Sequence, residues 1–181
     1  MAQVDGFFVY GTLMRGESRF AAISAHGIVR VLLARGPGRL FDTHGGYPMV
    51  RLAGADPDDV VYGEFVSVGG FDAARVALDA LEGFSGHSHP QNEYERMLVD
   101  VDVGGSRLMT AWTYVAPDRG PTGNRIESGC WRQHRGVRDA FFRRLSQAHG
   151  QPDAETIQAL TEGSLSEFKL AKQSGVWTAL A

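Results

Sequence analysis

Cysteine is nearly absent from this chain of 181 residues, in which Cys130 is the single one. An internal disulfide needs two cysteines, so the sequence excludes a disulfide framework and is typical of a reducing compartment. No apolar run approaches the roughly 20 residues that a membrane-spanning helix needs. The opening residues MAQVDG have neither the basic start nor the apolar stretch of a signal peptide. We therefore expect a cytoplasmic protein that does not enter a membrane.

Excess positive charge is also missing. The chain has 18 Lys and Arg against 21 Asp and Glu, a net charge of −3. This balance gives no electrostatic reason to expect a nucleic-acid partner or an anionic membrane surface. The densest group of arginines lies on a predicted helix and is typical of a solvated face: Arg132, Arg135, Arg138, Arg143 and Arg144. With 43% apolar and 22% charged residues, the chain has the composition of a globular protein with a substantial core.

Several motifs of nucleotide and acyl chemistry are absent from the sequence. No Gly-x-Gly-x-x-Gly follows a predicted strand, and no serine occupies a Gly-x-Ser-x-Gly elbow. The stretch FVYGTLM, residues 8–14, breaks a strand at Gly11, but it has no lysine after the glycine to reach a phosphate. Whatever Gly11 and Thr12 bind, they must therefore bind it mainly with backbone N–H groups.

The periodicity of apolar residues predicts about six short strands and a few helices. Strand patterns cover residues 4–10, 28–36, 60–68, 94–103 and 107–115, and short extended pieces lie around GPGRL and HGGYPMV. Helices are predicted over 17–27, 71–83 and from Ser128 to about Gly150, and two more begin at Asp153 and Ser164.

The order of these elements favours the α+β class. The strands are short and joined mostly by turns, so we expect an antiparallel or mixed sheet rather than a doubly wound one. We assign residues 1–150 to one domain and residues 151–181 to a helical C-terminal extension packed on the same domain.

Glu82 is the residue whose position suggests chemistry by itself. The apolar stripe of the helix over 71–83 is predicted to contain Phe71, Ala74, Leu78 and Leu81. Glu82 follows Leu81 in the last turn, where the helix dipole disfavours a negative charge by about 0.3–1 kcal/mol. The edge of a buried stripe raises the pKa of a carboxylate and suits a general base. A surface glutamate at a frayed helix end fits the same residues.

Two other groups of residues could carry chemistry, and each has a plainer interpretation. His87, His89 and Glu93 resemble a metal-ligand cluster, but no second ligand set has matching spacing, so we interpret them as residues of a solvated loop. Cys130 and His134 are four residues apart on a predicted helix, which could pair a nucleophile with a base. That spacing also arises often by chance.

An ordered series of motifs runs through most of the chain. It consists of FVYGTL at 8–13, GYP at 46–48, VYGEFVSV at 61–68, LDALEGF at 78–84, and a hairpin with YER at 94–96 and TYV at 113–115. The series resembles the γ-glutamylcyclotransferase-like family, which includes γ-glutamylamine cyclotransferases and plant AIG2-like proteins. The resemblance extends from about residue 7 to residue 131, and its most specific part is the combination of YGTL with LDALEG.

The resemblance implies a small mixed β-barrel flanked by helices, with one cavity at the barrel mouth. It implies that Tyr10, Gly11, Thr12 and Leu13 bind the γ-glutamyl group of a small-molecule substrate through backbone N–H groups. Gly11 would let the backbone approach a carboxylate without an obstructing side chain. The resemblance also implies that Glu82 is the catalytic carboxylate.

The implied reaction is an intramolecular aminolysis. The α-amine of the substrate attacks the γ-carbonyl of the same molecule, with Glu82 as general acid and base, and the products are 5-oxoproline and a free amine. The resemblance implies no metal and no cofactor. A catalytically silent small-molecule-binding module of the same fold is the alternative. Where relatives often carry an acidic residue before a tryptophan, this chain has Cys130.

Overall fold

The computed structural model describes residues 4, 6–43, 45–103, 107–118 and 123–136. The chain divides into two compact units, Met1–Trp131 and Arg132–Ala181. Of the second unit only residues 132–136 are described, and they are helical. Several predictions lie outside the described residues. They are the domain boundary near residue 150, the arginines Arg138, Arg143 and Arg144 of the predicted helix, and the two helices predicted from Asp153 and Ser164.

Five strands close into a barrel in the order β1-β5-β2-β6-β7. These strands are β1 (Phe7–Val9), β2 (Ile28–Pro37), β5 (Val60–Val68), β6 (Glu95–Val103) and β7 (Arg107–Val115). All neighbouring pairs are antiparallel except β1 and β7, whose parallel pairing closes the barrel. The structure therefore confirms a mixed barrel of the α+β class.

Three further strands form a separate sheet in the order β4-β3-β8. They are β3 (Arg39–Asp42), β4 (Pro48–Arg51) and β8 (Asn124–Arg125). The strands β3 and β4 correspond to the short extended pieces expected around GPGRL and HGGYPMV. Proline cannot donate to a sheet ladder, and Pro48 accordingly occupies the first position of an edge strand.

Small residues make room for one aromatic ring inside the barrel. Phe8 is buried, and a Cβ added at Gly36 would lie 2.8 Å from its Cε1 atom. A Cβ added at Gly63 would lie 2.9 Å from Cε2 of the same ring and 2.3 Å from the carbonyl oxygen of Val9. The VYGEFVSV motif therefore requires glycine at position 63, because β1 lies too close to β5 there for any side chain.

The helix α1 (Phe20–Ser24) is shorter than the 17–27 predicted from the sequence. No side chain caps its first turn, which leaves the preceding residues in turns rather than in helix. Gly27 ends the segment with φ of 75°, as its position predicted.

The helix α2 (Phe71–Leu81) confirms the prediction for this part of the chain and corrects one residue of its apolar stripe. Phe71 stacks on Phe7 of β1 with ring centroids 5.0 Å apart, and Ala74 and Leu78 are fully buried. Leu81, which was predicted to face the core, is 36% exposed. The position four residues after Leu78 is occupied by Glu82, and this side chain is the buried one. Among the described residues, no helix is long and apolar enough to cross a membrane.

Substitution of Gly63 by alanine tests the close contact of β1 with β5. The added methyl group meets backbone as well as the Phe8 ring, so the barrel has to shift, and we expect the free energy of unfolding to fall by about 1–3 kcal/mol. Urea denaturation of the variant against wild type measures this loss. Gly69→Ala is the matched control, because the nearest atom to its Cβ, the Gly27 carbonyl oxygen, lies 3.8 Å away. Equal stability of both variants would contradict the tight packing at Gly63.

Candidate active site

A pocket lies where β1 ends, beside the C-terminal end of α2. Its wall combines aromatic rings and aliphatic side chains with a few polar groups. The residues that line it are Phe7, Phe8, Val9, Tyr10, Gly11, Thr12, Leu13, Arg19, Tyr47, Pro48, Leu78, Glu82, Tyr94 and Tyr114. The structure thus brings all five residues singled out from the sequence, Tyr10 to Leu13 and Glu82, to one pocket. A mostly apolar pocket with a few convergent polar groups is the usual form of a small-molecule site.

The segment Tyr10–Leu13 forms part of the pocket wall. A turn follows Tyr10, closed by the Met14 N–H, which donates to the Gly11 carbonyl oxygen at 3.0 Å. The Thr12 carbonyl oxygen accepts from the Arg19 N–H at 2.9 Å. The N–H groups of Gly11, Thr12 and Leu13 themselves donate to no described residue. Three successive N–H groups without a protein acceptor are suited to bind an anionic or carbonyl oxygen.

Gly11 has a steric role that the sequence did not reveal. Its backbone does not have a positive φ, so an unusual conformation is not the reason for glycine here. A Cβ at this position would lie 2.6 Å from Cγ of Pro48, the first residue of β4. The space that glycine leaves is therefore occupied by Pro48, and the two motifs YGTL and GYP pack directly against each other.

Glu82 ends α2 with its side chain in the pocket wall. The residue has φ of −93° as the C-cap, its N–H donates to the Leu78 carbonyl oxygen, and Gly83 follows with φ of 62°. Its side chain is buried although it carries a carboxyl group. No described side chain forms a hydrogen bond with that carboxyl group, so its oxygen atoms are available to a ligand. The spacing of four from Leu78 was the sequence signal for this burial.

The surroundings of Glu82 make its carboxylate unusually basic. Burial raises its pKa from 4.5 to about 7. The positive charge of Arg19 lowers the pKa and the negative charge of Glu93 raises it, and both effects are smaller than that of burial. A carboxyl group with a pKa near 7 can accept and return a proton at neutral pH, which is the requirement for general acid–base catalysis.

The hydroxyl groups of three tyrosines that line the pocket each donate a hydrogen bond to another protein group. Tyr10 donates to the Tyr114 carbonyl oxygen at 2.5 Å, Tyr94 to the Pro48 carbonyl oxygen at 3.1 Å, and Tyr114 to Asp79 Oδ1 at 2.8 Å. Burial is the largest of the causes that raise the pKa of each hydroxyl above its usual value. They therefore remain protonated, and their oxygen atoms have lone pairs that can accept a hydrogen bond. Tyr94 and Tyr114 belong to the YER and TYV motifs, for which the sequence suggested no role.

Arg19, Tyr47 and Glu93 are linked next to one another at the side of the pocket. The Arg19 guanidinium lies 5.9 Å from the centroid of the Tyr47 ring, a cation–π distance. The Tyr47 hydroxyl donates to Glu93 Oε1 at 3.1 Å. Arg19 is thus a positively charged residue of the pocket lining, and its charge acts on Glu82.

The metal-ligand cluster weighed from the sequence does not assemble in the described part of the chain. Glu93 binds Tyr47, whereas His89 Nδ1 accepts from a backbone N–H and His87 faces Glu95. No group of three or more His, Cys, Asp or Glu that could hold a metal ion occurs among the described residues. The backbone of Cys130 forms an isolated parallel β-bridge with that of Tyr62, and Cys130 is not among the residues that line the pocket.

A family model described as gamma-glutamyl cyclotransferase, AIG2-like, matches residues 7–133. This range covers most of the chain and contains every residue that lines the pocket. A search among curated proteins found no significant match.

Solved structures match the chain at low sequence identity, and that of YkqA shows the same fold. YkqA from Bacillus subtilis matches with a TM-score of 0.57 and 22% identity, over 76% of this chain and 43% of that one. The chain thus spans less than half of YkqA. A protein from Pyrococcus horikoshii matches with a TM-score of 0.49 and 19% identity, over 76% of this chain and 98% of that one. An AIG2-like protein from Mus musculus matches with a TM-score of 0.44 and 17% identity, over 66% and 81%.

The raised pKa of Glu82 predicts a pH-dependent stability. The folded protein holds a proton on Glu82 that the unfolded chain releases between about pH 4.5 and 7, so its stabilising effect is complete below pH 4.5 and is lost as the pH rises through 7. Glu82→Gln keeps the shape and removes this titration. Urea denaturation at pH 5 to 8 should show that the free energy of unfolding of the variant, relative to that of wild type, increases with pH by up to about 3 kcal/mol. A difference that is constant over this range would contradict the pKa shift.

Proposed function

Because the chain belongs to the family of gamma-glutamyl cyclotransferase, AIG2-like proteins, we propose that it converts a γ-glutamyl amide into 5-oxoproline and a free amine. The observation that carries the proposal is the buried carboxyl group of Glu82, with a pKa near 7, in the wall of a pocket that also holds three unpaired backbone N–H groups among its described residues. The proposed substrate is a small molecule. We propose that the reaction takes place in the cytoplasm, because a chain with a single cysteine is typical of a reducing compartment.

The pocket has complementary groups for both charges of a γ-glutamyl head. The N–H groups of the segment Tyr10–Leu13, together with Arg19, favour the α-carboxylate. The Glu82 carboxylate and the oxygen atoms of Tyr94 and Tyr114 favour the α-ammonium group, since each presents lone pairs to it. A zwitterionic α-amino acid head thus finds donors and acceptors in the same pocket.

Glu82 moves the protons in the proposed reaction. Its carboxylate takes a proton from the α-ammonium group, and the freed amine attacks the γ-carbonyl carbon of the same molecule. The carboxyl group returns this proton to the amide nitrogen, and the carbon–nitrogen bond to the leaving amine breaks. A second proton passes by the same route from the ring nitrogen, so the amine departs as an ammonium ion. N–H donors near the carbonyl stabilise the oxyanion, and the reaction as written uses neither metal nor cofactor.

Wild-type protein incubated with a panel of L-γ-glutamyl amides, peptides and amines should release 5-oxoproline from at least one of them. Glu82→Gln should fold and lose about 10²–10⁴-fold in turnover, because the glutamine keeps the shape of the side chain and cannot accept the proton. Chromatography with mass detection measures 5-oxoproline for both proteins.

Cys130→Ser is the control for this experiment, because Cys130 lies outside the pocket lining and the proposed reaction forms no bond to a protein atom. Its turnover should stay close to that of wild type. A collapse of turnover in Cys130→Ser, with a γ-glutamyl adduct on the wild-type cysteine, would replace the proposal by the thiol mechanism. Binding of γ-glutamyl compounds without any 5-oxoproline would favour the silent binding module instead.

A further inference from the structure

Asp79 and Tyr114 form a pair beside Glu82 that the proposed reaction has not used. Asp79 precedes Glu82 by three residues on α2, so the two carboxyl groups belong to neighbouring positions of the helix surface. The Tyr114 hydroxyl donates to Asp79 Oδ1 at 2.8 Å, and Tyr114 lines the pocket while Asp79 does not. The hydrogen bond to Tyr114 therefore connects Asp79 to the pocket.

The other oxygen of Asp79 is held by arginine. Arg96 donates to Asp79 Oδ2 through a short hydrogen bond, and Arg75 lies 3.8 Å from the same oxygen. The Arg96 guanidinium is itself fixed between two rings, 4.9 Å from the centroid of Phe84 and 4.8 Å from that of Trp112. The two oxygen atoms of Asp79 thus have separate partners, and the neighbouring arginines balance its charge.

This arrangement fixes the polarity of the Tyr114 hydroxyl. A tyrosine hydroxyl has one hydrogen atom, and in Tyr114 this atom is donated in the hydrogen bond to Asp79. The hydroxyl oxygen can therefore only accept a hydrogen bond from a ligand in the pocket. Tyr10 has the same polarity, but its oxygen atom already accepts from the Val50 N–H at 3.4 Å. Among the hydroxyls of Tyr10, Tyr94 and Tyr114, that of Tyr114 is the one that donates to a side chain rather than to a backbone carbonyl.

We propose that Asp79 is a positioning residue that makes the Tyr114 hydroxyl an acceptor for the ammonium group of the ligand, so that the pocket selects amines over their uncharged counterparts. The inference rests on the proposed function for the identity of the ligand. It assigns the selection to the Arg96–Asp79–Tyr114 chain of hydrogen bonds rather than to Glu82 alone.

Asp79→Asn distinguishes this role from a structural one. The change replaces two accepting oxygen atoms by one oxygen and one NH₂ group. Arg96 and Arg75 can only donate, so the amide oxygen must face them and the NH₂ group must face Tyr114. The Tyr114 hydroxyl then has to accept from that NH₂ group and turns its own hydrogen atom toward the pocket. A hydrogen bond donor would repel the ammonium group that the wild-type oxygen attracts.

The test compares binding of L-glutamine, the simplest γ-glutamyl amide, with binding of glutaramic acid, which lacks the ammonium group. NMR titrations at pH 8 measure both dissociation constants for wild type, Tyr114→Phe, Asp79→Asn and the double variant, and 5-oxoproline is followed in the same samples. Asp72→Asn is the control for a change of charge on α2, because the Asp72 side chain is 90% exposed and its contact, Arg75 at 3.6 Å, lies outside the Arg96–Asp79–Tyr114 chain of hydrogen bonds.

We expect wild type to prefer L-glutamine and Tyr114→Phe to lower this preference about tenfold, the usual effect of losing one hydrogen bond to a charged group. Asp79→Asn should lower it further than Tyr114→Phe, and the double variant should match Tyr114→Phe, because Asp79 acts through the hydroxyl that phenylalanine lacks. The control Asp72→Asn should keep the wild-type preference.

Three outcomes would overturn the inference: no preference in wild type, an unchanged preference in Tyr114→Phe, or an equal loss of affinity for both compounds in Asp79→Asn. If Asp79→Asn does not fold, an unchanged preference in Tyr114→Phe still overturns the inference, because Asp79 would then have no hydroxyl through which to act. Failure of the proposed function is a separate result. It would leave the predicted order of preferences intact while no 5-oxoproline formed from any γ-glutamyl compound in wild type.

Discussion

The burial of one carboxyl group, that of Glu82, is the constraint on which the site depends. A shift of its pKa from 4.5 to about 7 corresponds to about 3 kcal/mol that the fold must offset when the group is ionised. Packing of α2 against the barrel supplies this energy, since Phe71 stacks on Phe7 and Leu78 is fully buried. The same helical spacing that buries Leu78 also buries Glu82, so stability and basicity have one structural cause.

Closure of the barrel brings the other polar groups to this carboxyl group. The parallel pairing of β1 with β7 aligns Phe7 with Trp112, and just beyond that pair the Tyr10 hydroxyl donates to the Tyr114 carbonyl oxygen. The backbone donors that follow Tyr10 and the side chain of Tyr114 are more than 100 residues apart in the chain. Only the closed barrel places them in the same pocket.

Periodicity and turn residues predicted the elements that have strong local signals. The strand β5 (Val60–Val68) and the helix α2 followed by Gly83 are where the sequence placed them. The length of α1 was wrong because its start lacks a capping side chain, and the assignment of Leu81 to the core was wrong because the stripe continues to Glu82. Spacing within one helix could have corrected the second error.

The contacts between motifs could not be predicted in the same way, because they join distant parts of the chain. Gly11 is required by Pro48, and the polarity of Tyr114 is set by Asp79, each across an interface between different elements. A motif such as YGTL or LDALEG shows which residues recur together, but it does not show which group accepts and which donates. That distinction, on which recognition of an ammonium group depends, required the three-dimensional arrangement.

A ¹³C NMR titration of the Glu82 side-chain carboxyl group tests the central claim most directly. The signal can be assigned by its absence from the spectrum of Glu82→Gln, and its chemical shift followed from pH 3 to pH 9 reports ionisation of this group alone. The account predicts a midpoint near pH 7. A midpoint near 4.3, the usual value for a glutamate, would show that the buried carboxyl group is not held in the basic state that the proposed reaction needs.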